Sequence, residues 1–513
     1  MNSKIDGSVR YNQVFLWRVC AVAAMGGLLF GYDLIVIGGA KPFYEAYFGI
    51  YAKPWLQGWV MSSAVVGCLL GVLLAGTLAD MFGRKKLLLL AAVMFTITAV
   101  GMALAQSLTM FCIFRIIGGM GIGVASALSP MFIAEVAPKQ YRGRFVSFNQ
   151  LTIVIGILAA QIINLTIADF VSHHYTPKEV TASLKKIEAD SRMTIDEAKA
   201  RGAGETELFQ IQEEASTRRA SLLLASWNGQ WGWRCMFGAG IVPAAAFLLL
   251  LFFVPESPRW LVQKGKSSLA RLTLVKVGGD DYAAAEIRDI EQTISADAQG
   301  QGRFSELLDR RMLPVLSLGI FLAVFQQWCG INVIFYYAEE VFRSAGYEVS
   351  GLMFNIVITG IINLVFTFVA IGTVDRLGRR PLMLIGAGGL ALVYAILGYC
   401  YLMGMTGTIM LVLVLCVLAC FAMTLGPMVW VVLAEIFPNR VRGAAMSVAV
   451  ASLWIANMIL AQTFPILNRA LGTYGTFWIY GGICAVSFVV IVLKLPETKG
   501  KSLEEIETIF FKK

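Results

Sequence analysis

The chain has 513 residues, 58% of them hydrophobic and only 15% charged, with a formal net charge of +9 and a mean hydropathy of +0.71. Soluble globular domains carry about 25% charged residues, so this composition excludes a protein whose whole surface faces water. The positive charge sits in short loops between apolar stretches, which reports orientation in a bilayer and not a nucleic-acid partner.

The polar start, Met1–Gln13, is followed by an apolar stretch too long for a signal peptide and without a cleavage pattern. A bilayer core needs roughly 20 apolar residues per helix. That ruler predicts twelve spans, near 15–39, 55–78, 87–106, 109–134, 145–168 and 234–254, then 312–338, 351–373, 382–403, 408–434, 444–465 and 474–495. From Leu382 to Ala434 there is no charged residue, a run of 53 positions that fits two spans and the turn Gly404–Gly407. Helices follow from the length of the stretches and from the need to satisfy every backbone group inside lipid.

Loops after even-numbered spans are basic, with Arg84-Lys85-Lys86, Lys139, Arg142, Arg144, Arg376, Arg379, Arg380, Arg440 and Arg442. Loops after odd-numbered spans carry little charge, so both termini are expected inside the cell. All nine Cys (20, 68, 112, 235, 329, 400, 416, 420 and 484) fall in the predicted spans and read as small apolar residues, without disulfide or metal spacing.

Three motifs recur in order. Asp80-Met-Phe-Gly-Arg84 returns as Asp375-Arg-Leu-Gly-Arg379, an offset of 295, and Glu135-x-x-Pro138-x-x-x-Arg142 returns as Glu435-x-x-Pro438-x-x-x-Arg442, an offset of 300. Pro255-Glu256-Ser257 returns as Pro496-Glu497-Thr498 with an offset of only 241, so the first half holds about 59 extra residues. Two six-helix halves related by a repeat are a transporter architecture, with the binding site at their interface. The expected division is 1–256 for the N-terminal half, 257–311 for a cytoplasmic helical linker, 312–495 for the C-terminal half and 496–513 for a cytoplasmic tail. The extra residues, about 169–232, are expected as an extracytoplasmic helical hairpin that caps spans five and six. His173-His174 at its start is a poor metal site, with no further His or Cys nearby.

An ionisable residue inside a span is costly and points to function. Asp33 and Arg115 each lie about six residues from the outer end of their predicted spans, one and four, and so sit at similar depth. A carboxylate facing Arg115 stays charged, and separation favours its protonation; the plain alternative is a permanent structural ion pair. Asp80, Glu135, Asp375 and Glu435 lie at the cytoplasmic rim beside Arg84, Arg142, Arg379 and Arg442 and read as gate pairs. Uncharged polar groups gather in span seven, at Gln326, Gln327, Asn332, Tyr336 and Tyr337. Amides and phenols offer donors and acceptors without net charge, which suits a polyhydroxylated neutral substrate. Gln326 and Gln327 cannot share one helix face, and Gly330 allows a bend between Gln327 and Asn332. Gln150, Asn363, Trp430 and Trp454 add amides and aromatic faces from other spans, each of which alone also fits helix packing. Gly426-Pro427 predicts a break in span ten.

These residues together resemble the sugar porter family of the major facilitator superfamily. The matching text is Gly27-Leu-Leu-Phe30-Gly-Tyr-Asp33, Arg115-Ile-Ile-Gly118-Gly119-x-Gly121, Pro255-Glu-Ser-Pro-Arg259, Gln326-Gln-x-x-Gly-x-Asn332 and Pro496-Glu-Thr-Lys-Gly500. The resemblance covers roughly residues 15–503 and is closest to the bacterial sugar–proton symporters. It implies an all-α membrane protein of the major facilitator fold and proton-coupled symport of a pentose or hexose. It further implies Asp33 as proton carrier with Arg115 as partner, and a sugar site lined by Phe30, Gln150, Gln326, Gln327, Asn332, Tyr336, Asn363, Trp430 and Trp454. Leu453 departs from the symporter pattern, which has Gln there, so a relative's sugar preference does not carry over. Met81 replaces the usual Arg of the first rim motif.

The expected partners are a monosaccharide, a proton and the lipid bilayer, for a monomer in the cytoplasmic membrane with no cofactor, no metal and no enzymatic activity. A passive uniporter, a polyol or inositol carrier and a non-transporting sugar sensor are the rivals.

Overall fold

In this computed structural model, residues 11–201, 205–300, 306–307, 309–347, 349–438, 441–499 and 505 are described. Helices carry nearly all of it, and no strand occurs among the described residues. Among the described residues, eleven helices are long and apolar enough to cross a membrane. The last of them, Arg442–Lys494, has 53 residues and breaks at Gly472, whose φ of 67° only glycine adopts readily. Split there, it gives spans eleven and twelve, and the total is the twelve expected from composition.

The first six spans are Gln13–Phe48, Pro54–Phe82, Arg84–Ala103, Leu108–Val136, Arg142–Leu165 and Asn228–Leu251. Spans seven to ten are Leu313–Tyr336, Val349–Leu377, Arg379–Leu402 and Thr408–Ile436. Local signals set the ends: the Asn12 side chain caps span one at Phe15 N (3.0 Å), Pro54 opens span two, and Ser107 caps span four at Met110 N (3.2 Å). Large apolar side chains such as Val242 (74% exposed) and Phe253 (85% exposed) cover the outside, where lipid replaces water. Inside, small residues let backbones meet, as where Gly67 and Gly71 of span two face Gly119 and Gly123 of span four.

Span one differs from its predicted length. It runs unbroken through Pro42 to Phe48, so Asp33 lies 15 residues from its end and not six. The added segment carries Lys41 and Glu45, which a hydropathy ruler leaves out because they are charged, and which stay helical because they are paired and buried. Of the nine Cys, Cys235 and Cys416 are exposed and Cys420 half-buried, so three of them are not interior residues; all nine are free thiols.

The insert is a helical hairpin, Lys178–Ala200 and Glu205–Ala225, at the end of the molecule opposite the basic loops. The two ends are called here the insert end and the basic end. The segment after span six forms helices Pro258–Gln263 and Ser267–Gly300, the second broken at Gly279, on the basic end. Asn12 N donates to Val277 O (2.9 Å), and the Tyr11 ring stands edge-on between Tyr141 and Tyr282, so the N-terminal strap lies against this segment.

The two halves meet through spans one and seven, two and eleven, and five and eight. Ser62 donates to Gln462 (2.9 Å), Gln462 to the Trp55 carbonyl (3.0 Å), Arg469 to the Ala52 carbonyl (3.2 Å), and Gln161 to Thr359 (3.3 Å). All of these contacts lie at the insert end. The molecule is closed there.

Candidate substrate and proton site

Asp33 and Arg115 sit at one depth, as the sequence predicts, although span one is longer than expected. A Cβ placed on Gly118 would meet the Asp33 Oδ2 at 3.1 Å, so the carboxyl lies against span four one turn from Arg115. The two are nevertheless unpaired. Arg115 is 2% exposed; its Nε donates to the Val60 carbonyl (3.1 Å), and its Nη1 has no hydrogen-bond partner. The Asp33 carboxyl makes no hydrogen bond or ion pair among the described residues. The guanidinium thus turns to a backbone carbonyl, and it shares no hydrogen bond with the buried carboxyl a helical turn away.

Span seven breaks between Trp328 and Ile331, where Gly330 takes φ 84°, and its two pieces present the amides differently. Gln326 donates to the carbonyls of Leu425 (3.3 Å) and Gly426 (3.0 Å). Those carbonyls are available because span ten also breaks, at Thr424 with φ −124° and ψ −88°. The break falls three residues before Pro427, which then sits in the first turn of the new helix, where its missing N–H costs nothing. Gln327 faces elsewhere: its Oε1 accepts from Asn332 Nδ2 across the Gly330 break.

Asn332 also donates to Asn457 (3.4 Å), and Asn457 donates to the Tyr336 hydroxyl (3.3 Å). Gln327, Asn332, Asn457 and Tyr336 therefore form one connected polar cluster. Asn457 is absent from the sequence expectation; its signal was its place three residues after Trp454, on the same face of span eleven. Tyr337 points the other way and donates to the Ala461 carbonyl (2.6 Å). Phe30 and Trp454 bring the halves together below the seal, ring centroids 6.2 Å apart. Trp454 and Leu453 are buried, Asn363 is 8% exposed, and the side chains of Gln150 and Trp430 (40% exposed) make no hydrogen bond among the described residues.

The rim motifs repeat down to single atoms. Arg84 donates to Glu135 (3.1 Å) and Asp80 (3.1 Å), and Ser257 Oγ donates to the other Glu135 oxygen. In the second half Arg379 donates to Glu435 (3.1 Å), and Thr498 Oγ1 donates to its other oxygen (2.6 Å). Glu256 and Glu497 accept the backbone N–H groups of Lys85 and of Arg379 and Arg380. Burial works to raise the Glu497 carboxyl, yet the N–H groups of Lys499, Arg379, Arg380 and Thr498 hold it below the usual range. Each cluster stays within its own half. Arg442 donates to the Phe437 carbonyl (3.1 Å), and the Arg142 side chain makes no hydrogen bond or ion pair among the described residues. Both Arg residues are thus apart from the Glu residues beside which the sequence places them. The Asp375 side chain lies outside the described residues, and Met81 is exposed.

The insert holds no metal group among the described residues. His173 and His174 turn back on the carbonyls of Asp169 and Phe170 in their own helix.

Residues 19–180 and 219–510 match the family model described as sugar (and other) transporter. The D-xylose-proton symporter of Escherichia coli is 35% identical over 98% of this chain and 97% of its own length. The arabinose-proton symporter of Bacillus subtilis is 34% identical over 97% of this chain and 96% of its own. Among solved structures, the partially occluded inward-open conformation of the E. coli xylose transporter superposes with a TM-score of 0.76 at 34% identity, covering 95% of this chain and 100% of that one. The twelve helices, the repeated rim clusters and these matches together make the chain a member of the sugar transporter family, with the major facilitator fold.

Proposed function

We propose that the protein carries a monosaccharide, a pentose or hexose, together with a proton by alternating access. It does so as a monomer in the cytoplasmic membrane, with the basic end and both termini in the cytoplasm. The N-terminal half is 1–256 with its extracytoplasmic insert, the linker 257–311, the C-terminal half 312–495 and the tail 496–513. The observation that carries the coupling is the buried, unpaired Asp33 carboxyl one turn from Arg115. Pairing with Arg115 favours the ionised carboxylate and separation the neutral one, so the proton rides on Asp33 in the separated state. The state described is closed at the insert end, so its substrate exchanges with the cytoplasm. Re-pairing after proton release resets the carrier.

The sugar lies between the halves. Gln327, Asn332 and Tyr336, with Asn457 beside them, offer donors and acceptors to its hydroxyls, and Gln326 ties span seven to the broken span ten. Trp430, Trp454 and Phe30 offer apolar faces to the ring, and Gln150 and Asn363 complete the wall. Asp80, Arg84, Glu135 and Arg142, with Asp375, Arg379, Glu435 and Arg442, form the inner gate. In the state described Arg84 and Arg379 brace single halves, and the gate closes when the halves swing together.

The test is sugar-induced proton uptake in proteoliposomes, with a panel of competing sugars and polyols at two pH gradients. Accumulation against a gradient is expected, with Asp33→Asn abolishing it while exchange of labelled sugar continues. Transport without proton uptake, unaltered by Asp33→Asn, identifies a uniporter. Competition by inositol or a polyol above every sugar moves the substrate class.

A further inference from the structure

The insert end holds a second cluster of buried charges that neither the sugar site nor the proton site uses. Lys41 and Glu45 come from span one and Arg219 from the second insert helix, all on the N-terminal side. Glu339, Glu340 and Arg343 come from the short helix Ala338–Ser344 that follows span seven. Lys41 pairs with Glu45 (2.8 Å) and with Glu340; Arg219 (2.9 Å) and Arg343 (2.9 Å) both pair with Glu339. Side-chain exposure is 1% for Lys41, 4% for Glu339 and 10% for Arg219, so the pairs that cross between the halves are shielded from water, whereas Arg343 is half-exposed.

These pairs divide into two kinds. Lys41–Glu45 and Arg343–Glu339 are four residues apart on one helix and survive any motion of the halves. Lys41–Glu340 and Arg219–Glu339 cross the seam. The N-terminal side brings two cations and one acid, and the C-terminal side two acids and one cation, so the closed seam is charge-complementary. On opening, Glu45 keeps Lys41 and Glu339 keeps Arg343, while Arg219 lets go of Glu339 and Glu340 lets go of Lys41. Local partners thus limit the cost of opening, which for a buried pair left half-broken is otherwise prohibitive.

Arg219 belongs mechanically to the N-terminal half. Ala220 and Leu223 beside it are buried, and the second insert helix packs on span one. Asn228 at its foot donates to the Ala168 carbonyl (3.0 Å), and Trp227 stacks on Tyr175 with centroids 5.5 Å apart. The helix therefore moves with spans one and five, while Glu339 moves with span seven.

We propose that the second insert helix is a working part of the outer gate, with Arg219 gripping Glu339 across the seam and biasing the carrier toward the state closed at the insert end. The proposal rests on the alternating-access reading above, and its test needs no sugar and no proton gradient. Spin labels at Lys53→Cys and Ala470→Cys, exposed at the outer ends of spans two and eleven, report the seam by pulsed dipolar distance measurement. Cys235, Cys416 and Cys420 are replaced by Ser. Arg219→Ala and Glu339→Gln are each expected to raise the ratio of open to closed molecules about tenfold, and Arg219→Lys to restore most of the closed population. Thermal unfolding in detergent separates a lost grip from a lost fold, and if Arg219→Ala does not fold, Glu339→Gln reads the same pair. Distance distributions identical to the parent in a folded Arg219→Ala or Glu339→Gln variant overturn the proposal. A shift with Arg219→Ala in a protein that transports without proton uptake leaves the gate intact and removes only the coupling.

Discussion

Asn457 shows how much one buried amide can organise. It joins Asn332 of the broken span seven to the Tyr336 hydroxyl, and its own exposure is 3%. Truncation to Ala removes the donor to the buried Tyr336 hydroxyl and leaves Asn332 with Gln327 alone, at about 1–3 kcal/mol. The expected result is a rise in KM of about tenfold or more, with exchange still measurable, in counterflow assays. Glu339 makes a different prediction. Burial opposes its charge, yet Arg343, Arg219 and Lys41 hold the carboxyl well below its ordinary value of 4.5. A depressed carboxylate contributes its full grip above the ordinary value and loses it only as pH falls below. The difference in open population between parent and Arg219→Ala should therefore shrink only at pH below the ordinary carboxylate range, by the same distance measurement. At this scale the sequence was legible where a residue is chemically out of place, as Asp33 and Arg115 are in apolar helices. It was silent on pairing, because which atoms meet depends on the conformational state.

Spans seven and ten are each built in two pieces, and both breaks lie beside the amides. Gly330 takes φ 84°, and a Cβ there would also sit 2.8 Å from the Tyr480 ring. Gly330→Ala is expected to cost about 1–2 kcal/mol and, by straightening the turn that brings Gln327 to Asn332, to abolish counterflow in protein that still purifies folded. The Gly330 break was readable, since a glycine between polar residues has few other uses. The break in span ten was readable only to within three residues: Pro427 tolerates the first turn of a helix, so the disruption moved to Thr424. The insert helices were readable as helices. That the second of them reaches across to Glu339 was not, because Arg219 and Glu339 are 120 positions apart and each looks like an ordinary surface charge in its own segment.

The whole molecule is closed at the insert end by backbone approach as well as by charge. A Cβ on Gly38 of span one would lie 2.4 Å from the Phe335 carbonyl oxygen of span seven. Gly38→Ala is expected to hold the outer seam apart, shifting the label distances toward the open form and slowing exchange, without loss of the fold. An unchanged closed population would mean that span seven yields at that point. Composition and hydropathy determined the twelve helices, because lipid permits no other way to satisfy the backbone. Repeated motifs determined the two halves and the rim clusters, because each motif is local and closes within one half. Only the tertiary structure decided that Asp33 and Arg115 stand apart, that Asn457 completes the polar cluster, and that the insert grips the far half. The first two depend on how helices pack within one half and the third on how the halves meet, and each of those surfaces is assembled from residues that no stretch of sequence contains together.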